Sequence, residues 1–88
     1  RYEDVDEAVE RANATMFGLS GSVWSGDAQR AAEIAGRLEC GTAWVNQHLQ
    51  IVPHAPFGGA KWSGIGVENG PWGLYGFTEI RTINIARK

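Results

Sequence analysis

The first half of the chain alternates between helical and extended spacing of its apolar residues. Two stripes with spacings of three and four predict helices, one over about 5–13 after Asp4 and one that follows Asp27. Gly41 is well placed to end the second helix. The stripes consist of Val5, Ala8, Val9 and Ala12, and of Ala28, Ala31, Ala32, Ala35 and Leu38. Segments 19–24 and 42–45 predict short strands on either side of the second helix.

A strand, a helix and a strand within about 27 residues are typical of a βαβ unit, whose strands run parallel with a right-handed crossover. Parallel sheets contain several strands and are covered on both faces. Two strands and two helices do not complete such a sheet. The pattern therefore predicts an α/β chain with a partial parallel sheet, in the order helix–strand–helix–strand. We expect this chain to belong to a larger protein or to depend on a partner.

Residues 46–76 show no sustained period of either kind. Prolines and glycines keep regular elements short here, and only a single helical turn near 70–74 is expected. Several aromatic residues in and just after this segment argue against disorder, because disordered segments are depleted in them. They are Phe57, Trp62, Trp72, Tyr75 and Phe77. An ordered, irregular, glycine-rich segment of this length is a candidate for the wall of a site.

The last residues, 79–87, are predicted to form an extended strand. Ile83 and Ile85 share one face with Arg81 and Arg87, whereas Ile80 is out of phase. No neighbour for this strand is evident in the chain's own sequence, so its edge is expected to pair with another chain or with a distant segment. A homo-oligomer is the assembly that this terminal strand predicts.

Composition narrows the class of partner and the compartment. The chain has 88 residues, and its formal net charge of −2 arises from 10 acidic and 8 basic side chains mixed along the sequence. No basic stripe predicts a nucleic-acid partner. No apolar run approaches the roughly 18 residues that span a bilayer, so no membrane partner is expected. Cys40 is the only cysteine, which excludes an internal disulfide and fits a reducing, cytoplasmic compartment.

Cys40 is the first candidate for chemistry, as a nucleophile. It follows Glu39 at the C-terminal end of the predicted second helix, where the negative end of the helix dipole opposes a thiolate. A small buried apolar role is therefore favoured. His48 and His54 fit no zinc spacing with Cys40, and no fourth ligand is evident. The sequence assigns no catalytic residue and no metal ligand.

Residues 58–66, Gly-Gly-Ala-Lys-Trp-Ser-Gly-Ile-Gly, raise the alternative of a phosphate-binding loop. The Walker pattern requires Lys after its last glycine, but Ile65 follows Gly64. The dinucleotide pattern requires a third glycine where Asn69 stands, and a strand before the loop. Tight turns and close backbone approach explain these glycines more simply.

Five blocks of sequence, in this order along the chain, carry a resemblance to a known family. They are 12–19 (ANATMFGL), 22–25 (SVWS), 38–46 (LECGTAWVN), 56–68 (PFGGAKWSGIGVE), and 73–74 (GL) with 77–79 (FTE). Together they look like the C-terminal portion of the NAD(P)-dependent aldehyde dehydrogenases, and the match covers nearly the whole chain.

The resemblance implies a longer enzyme that oxidises a small aldehyde to a carboxylic acid with NAD or NADP. In that family a cysteine thiolate attacks the aldehyde, hydride passes to the nicotinamide, and a glutamate activates water. All of these groups lie upstream of the matched portion, so no catalytic residue is carried over. The resemblance also implies two parts, with residues 1–78 in the catalytic domain and residues 79–88 as the strand of an oligomerisation arm.

By position, Phe57 resembles the aromatic residue that lines the family's substrate tunnel. Ile51 matches a pocket-loop position that is often aromatic, where an aliphatic side chain would widen the pocket. The strand of the arm contains Glu79, Ile80, Ile83 and Ile85. The isolated chain is expected to be inactive and to bind no cofactor by itself.

Two alternatives stay open at this point. One is a stand-alone structural module that self-associates through the terminal strand and has no catalytic role. The other is a small nucleotide-binding domain that uses the glycine-rich segment, which heat stabilisation by NAD or ATP would reveal.

Overall fold

The structure, a computed structural model, describes residues 1–87, and this part of the chain contains three helices and four short strands. In chain order they are α1 (Val5–Asn13), β1 (Phe17–Gly18), β2 (Ser20–Val23), α2 (Ala28–Ala35), β3 (Thr42–Val45), β4 (Ala60–Lys61) and α3 (Gly70–Tyr75). Regular structure is concentrated before residue 46, as the apolar pattern predicts. None of these three helices is long and apolar enough to cross a bilayer.

The two longer helices begin at aspartate caps. Asp4 Oδ1 accepts a hydrogen bond from the Asp6 N–H at 3.1 Å, and Asp27 Oδ1 accepts one from the Arg30 N–H at 3.0 Å. Each bond satisfies an N–H group that has no partner inside its helix. The predicted start of both helices, and the predicted range 5–13 of α1, are confirmed.

The end of α2 differs from the prediction. The helix stops at Ala35 with Gly36 as its C-cap, rather than continuing toward Gly41. The next two N–H groups donate three residues back instead of four, which tightens the last turn. The side chain of Asn13 donates to the Arg37 carbonyl at 2.9 Å, so this carbonyl has a partner outside the helix. A tertiary hydrogen bond therefore accompanies the early stop.

β2 and β3, which flank α2 in sequence, are parallel neighbours. Their register runs from Ser20 opposite Thr42 to Val23 opposite Val45. This is the pairing that strand–helix–strand spacing favours. α2 packs against both strands, and its buried side chains are Ala31 and Ala35, whose small size permits close approach.

Asn46 fastens the chain just after these two strands. Its N–H donates to the Val23 carbonyl at 2.9 Å. Its side chain accepts from the Ser25 N–H at 2.8 Å and donates to the Ser25 carbonyl at 2.9 Å. The φ of Asn46 is 53°, in the left-handed region that Asn tolerates better than most residues. The direction of the following loop is set here.

The strand predicted over 19–24 is divided in the structure. Leu19 separates β1 from β2, because the two strands pair with different partners. β1 pairs antiparallel with β4, with Phe17 opposite Lys61 and Gly18 opposite Ala60. The glycine-rich second half is therefore joined to the first half through a two-residue ladder.

Within the described part of the chain the terminal segment forms no strand, and its predicted pairing with another chain stays a prediction. Residues 79–87 form no ladder with any other segment of residues 1–87, and a strand needs a neighbour to accept and donate its hydrogen bonds. Ile80, Ile83 and Ile85 are 101%, 74% and 85% exposed. Lys88, the last residue of the predicted arm, lies outside the described residues.

The chain buries little of its surface. Its radius of gyration is 18.0 Å, whereas a compact domain of this length has about 12 Å. Its accessible surface is 7525 Å², about 2,400 Å² more than expected for a compact protein of this mass. The buried apolar side chains among the described residues are Val9, Ala31, Ala35 and Trp44. The uncovered area is comparable to that of a large, obligate protein interface, about 2,000 Å² or more.

Candidate functional site

Trp44, the third residue of β3, is the centre of an aromatic cluster. Its side chain is 5% exposed. The indole stacks on Phe57 with ring centroids 6.4 Å apart and 28° between the planes, and it meets the edge of His48 at 5.2 Å and 76°. Both arrangements are favourable for aromatic rings. The indole Nε1–H donates to the Gln50 carbonyl at 3.2 Å. One buried side chain thus contacts three positions of the irregular segment.

Phe57 is also fixed through its backbone. Its N–H donates to the Glu68 carbonyl at 2.8 Å, and its carbonyl accepts from the Glu68 N–H at 2.8 Å. The half-buried side chain lines an open cleft of about 900 Å³ between the glycine-rich segment and α3. Trp44 therefore holds the ring of Phe57 and Glu68 holds its backbone, which gives this side chain a fixed position in the cleft.

Ile51, the other predicted wall residue, lies in the loop that leaves β3 and is 49% exposed. Its N–H donates to the Leu49 carbonyl at 3.2 Å, and Leu49 has a φ of 55°. Ile51 does not line the cleft that contains Phe57. The structure connects the two predicted wall residues through Trp44, whose indole contacts one of them and the residue before the other.

The glycine-rich segment lies directly against the start of β3. A Cβ on Gly41 would overlap the carbonyl oxygen of Gly58, and a Cβ on Gly58 would lie 2.5 Å from the carbonyl oxygen of Gly66. The Gly18 N–H donates to the Ser63 hydroxyl at 2.9 Å. Close backbone approach, the simpler explanation of these glycines, is thus what the structure contains at these positions. It places the aromatic residue before Gly58 beside β3.

Lys61 fastens the same segment from the other end. Its φ is 53°, and its side chain is 26% exposed. The ammonium Nζ lies 2.7 Å from Glu39 Oε2 and donates to the Asn13 carbonyl at 2.7 Å. The Asn13 side chain in turn accepts from the Glu39 N–H at 2.9 Å. These contacts act against the backbone strain of Lys61, which is on the order of 1–3 kcal/mol.

Cys40 does not line the cleft that contains Phe57. The helix-dipole argument against its thiolate does not apply, because α2 ends at Ala35. Its half-buried thiol donates to the Thr42 carbonyl at 3.3 Å. It lines a separate cleft of about 880 Å³ between α1, β2 and α2, which excludes Phe57 and Ile51. No group of three His, Cys, Asp or Glu residues within 1–87 is placed to hold a metal ion.

Sequence patterns missed two residues that hold the glycine-rich segment and its aromatic cluster in place. Trp44 was visible only as a strand residue, and Lys61 only as part of a failed phosphate motif. No local signal singles out Trp44, because Trp24, Trp62 and Trp72 carry the same apolar area and are 66%, 80% and 55% exposed. No local signal identifies Lys61, because its partners lie 22 and 48 residues away in sequence.

Comparison with known proteins gives one consistent result. The model of the aldehyde dehydrogenase family matches residues 1–83. An aldehyde dehydrogenase of Enchytraeus buchholzi is 44% identical over 85 residues, which is 97% of this chain. The cytosolic aldehyde dehydrogenase 1 of Rattus norvegicus is 41% identical over 83 residues, or 94% of this chain. The chain spans 17% of the length of each of these relatives.

A solved structure has the same arrangement of elements. An aldehyde dehydrogenase from Bacillus cereus, in its NAD⁺ complex, superposes with a TM-score of 0.92 at 36% identity. The match covers 99% of this chain and 18% of that chain. The elements described above therefore occur together inside a protein more than five times as long.

Proposed function

The chain belongs to the aldehyde dehydrogenase family, and we propose that it is the C-terminal part of an enzyme that oxidises an aldehyde to a carboxylic acid with NAD or NADP. The observation that carries this proposal is the shared fold over nearly the whole chain, together with the large uncovered surface. A chain that exposes about 2,400 Å² more than a compact protein of its mass is expected to close against further polypeptide.

Within that enzyme, residues 1–78 would belong to the catalytic domain and supply one wall of the substrate pocket. Phe57 is the main candidate, because its ring is held by Trp44 and its backbone by Glu68. Ile51 is the second candidate, on the loop that wraps around the same indole. An aromatic face at Phe57 and a branched aliphatic side chain at Ile51, each on a segment that contacts Trp44, would suit the apolar part of an aldehyde through burial of apolar surface.

The nicotinamide cofactor would be held by the remainder of the enzyme. A phosphate-binding loop needs N–H groups free to point at the ligand. In the segment 58–66, the N–H of Trp62 donates to the Met16 carbonyl at 2.9 Å and that of Ser63 to the Ala60 carbonyl at 3.1 Å. These two N–H groups are therefore not available to a phosphate. Cofactor, nucleophile and base are therefore assigned outside this chain, which leaves it inactive alone.

The terminal segment 79–88 would form a subunit contact in a homo-oligomer. Its candidate residues are Glu79, Ile80, Ile83 and Ile85. The three isoleucines are highly exposed, and an extended segment with free backbone groups is suited to pairing with a strand of another subunit. The same exposure favours the alternative of a stand-alone self-association module without catalysis.

A hybrid enzyme tests the proposal and separates it from this alternative. Residues 1–88 replace the matched segment of the rat relative, which is 41% identical. The hybrid should reduce NAD⁺ in the presence of an aldehyde, whereas the rat enzyme lacking that segment and the 88-residue chain alone should not. An inactive but folded hybrid, or aldehyde-dependent activity in the isolated chain, would contradict the proposal.

The substrate wall is tested in the same hybrid. Phe57→Ala should lower kcat/KM for bulky aldehydes about tenfold, because a large apolar contact is removed. Tyr2→Ala is the matched control, since it removes an exposed aromatic side chain that lines only the separate cleft of Cys40. Equal effects of the two substitutions on kcat/KM would contradict the assignment of Phe57 to the substrate wall.

A further inference from the structure

Trp44 contacts both halves of the proposed wall. Its ring stacks on Phe57, and its Nε1–H donates to the Gln50 carbonyl, immediately before Ile51. The indole is nearly completely buried, so it has few alternative positions. Movement of this ring would therefore displace both wall residues together.

We propose that Trp44 is a positioning residue that sets the spacing between Phe57 and Ile51, and thereby determines which sizes of apolar aldehyde the pocket accepts. This inference rests on the proposed function, because it assigns a role within the same substrate wall. Trp44 does not touch the substrate. It acts through the two residues that do.

The loop between β3 and Phe57 depends on the indole for its shape. Leu49 has a left-handed backbone, which is unfavourable for a branched side chain. The hydrogen bond from Nε1 to the Gln50 carbonyl holds the residue that follows Leu49, and the ring of His48 packs against the indole in a T-shaped arrangement. The loop is therefore folded around Trp44, and the conformation of residues 48–50 fixes the position of Ile51, which follows them.

A role in packing alone would have different consequences. Loss of a packing contact lowers stability and affects all substrates alike, whereas loss of a positioning contact changes the preference between substrates. Trp44→Phe separates these effects, because it keeps an aromatic ring for stacking and removes the indole donor. Trp24→Phe is the control: Trp24 Nε1–H also donates a hydrogen bond, at 3.2 Å to the Ser22 hydroxyl, but Trp24 lines the separate cleft of Cys40 and not the cleft of Phe57.

The experiment measures kcat and KM for acetaldehyde and for hexanal, in the whole enzyme of which this chain is proposed to be the C-terminal part. Trp44→Phe should change the ratio of the two kcat/KM values by about threefold or more, mainly through KM for hexanal. Trp24→Phe should leave the ratio unchanged. Binding of hexanoate, measured by calorimetry, should weaken in Trp44→Phe alone and provides a readout without turnover.

An unchanged ratio and unchanged hexanoate binding in folded Trp44→Phe would overturn the inference while the proposed function stands. An unmodified enzyme that oxidises no aldehyde would overturn the proposed function itself. If Trp44→Phe does not fold, His48→Ala serves as the second variant, because it removes an exposed contact of the same indole without opening the core. It should shift the ratio about twofold, and an unchanged ratio would overturn the inference.

Discussion

Replacing Gly41 with alanine perturbs the contact between β3 and the glycine-rich segment at one point. The added Cβ would lie 2.6 Å from the carbonyl carbon of Gly58 and 3.2 Å from the Cα of Gly59, and it would overlap the Gly58 carbonyl oxygen. Gly41 does not have a positive φ, so the backbone itself accepts alanine. The substitution therefore tests steric approach without backbone strain.

The free-energy cost of Gly41→Ala follows from how far the two backbones must move apart to accommodate the added Cβ. Ordinary contact with a Cβ begins near 3.4 Å, so the two backbones must separate by about 0.8 Å to clear the Gly58 carbonyl carbon and by more to clear its oxygen. Overpacking of this kind costs about 1–3 kcal/mol, and the upper end applies because the obstacle is backbone rather than a side chain. The displaced residues directly follow Phe57, so kcat/KM should fall about tenfold to a hundredfold.

The assay compares Gly41→Ala with Gly26→Ala in the intact enzyme, by urea unfolding and by aldehyde oxidation. A Cβ on Gly26 meets nothing within 4 Å, so this control should be neutral or stabilising by up to about 1 kcal/mol. If Gly41→Ala matches Gly26→Ala in both the urea midpoint and kcat/KM, the close approach of β3 to the glycine-rich segment does not position the wall.

Three further substitutions test other contacts. Asn46→Ala removes two hydrogen bonds to the backbone after β2 and a residue suited to a positive φ, so it should lower the free energy of unfolding by about 2 kcal/mol in urea titrations. Lys61→Met removes the ion pair with Glu39 and should cost about 1 kcal/mol, less at high salt, in the same titrations. Ile83→Lys should shift the oligomer toward smaller species in sedimentation, whereas Thr82→Lys, on the opposite face of the predicted strand, should not.

Local signals in the sequence predict the starts of elements well. Asp4 and Asp27 identify the first residues of α1 and α2, because a cap requires only the neighbouring turn. The end of α2 is wrong in the prediction, since it is accompanied by a hydrogen bond from Asn13, more than twenty residues upstream. The predicted strand 19–24 also fails to distinguish β1 from β2. The partner of β1 is β4, which lies about forty residues further along the chain.

The sequence predicts only part of the candidate site, and that part depends on the family resemblance. Phe57 and Ile51 were identified by family position, and their role in a substrate wall stays a prediction. The role of Trp44 depends on a loop that turns back after β3. Asn46 is a residue type that favours such a turn, but Leu49 adopts a positive φ that its side chain disfavours. Only the folded chain reveals that conformation.

Small-angle scattering and thermal unfolding of the 88-residue chain in dilute buffer show whether it completes a core by itself. We predict a particle with a radius of gyration well above the ~12 Å of a compact domain, broad non-cooperative melting, and self-association that increases with concentration. A monomer of about 12 Å that melts in one sharp transition would contradict this prediction. Such a chain would complete its own core without further polypeptide.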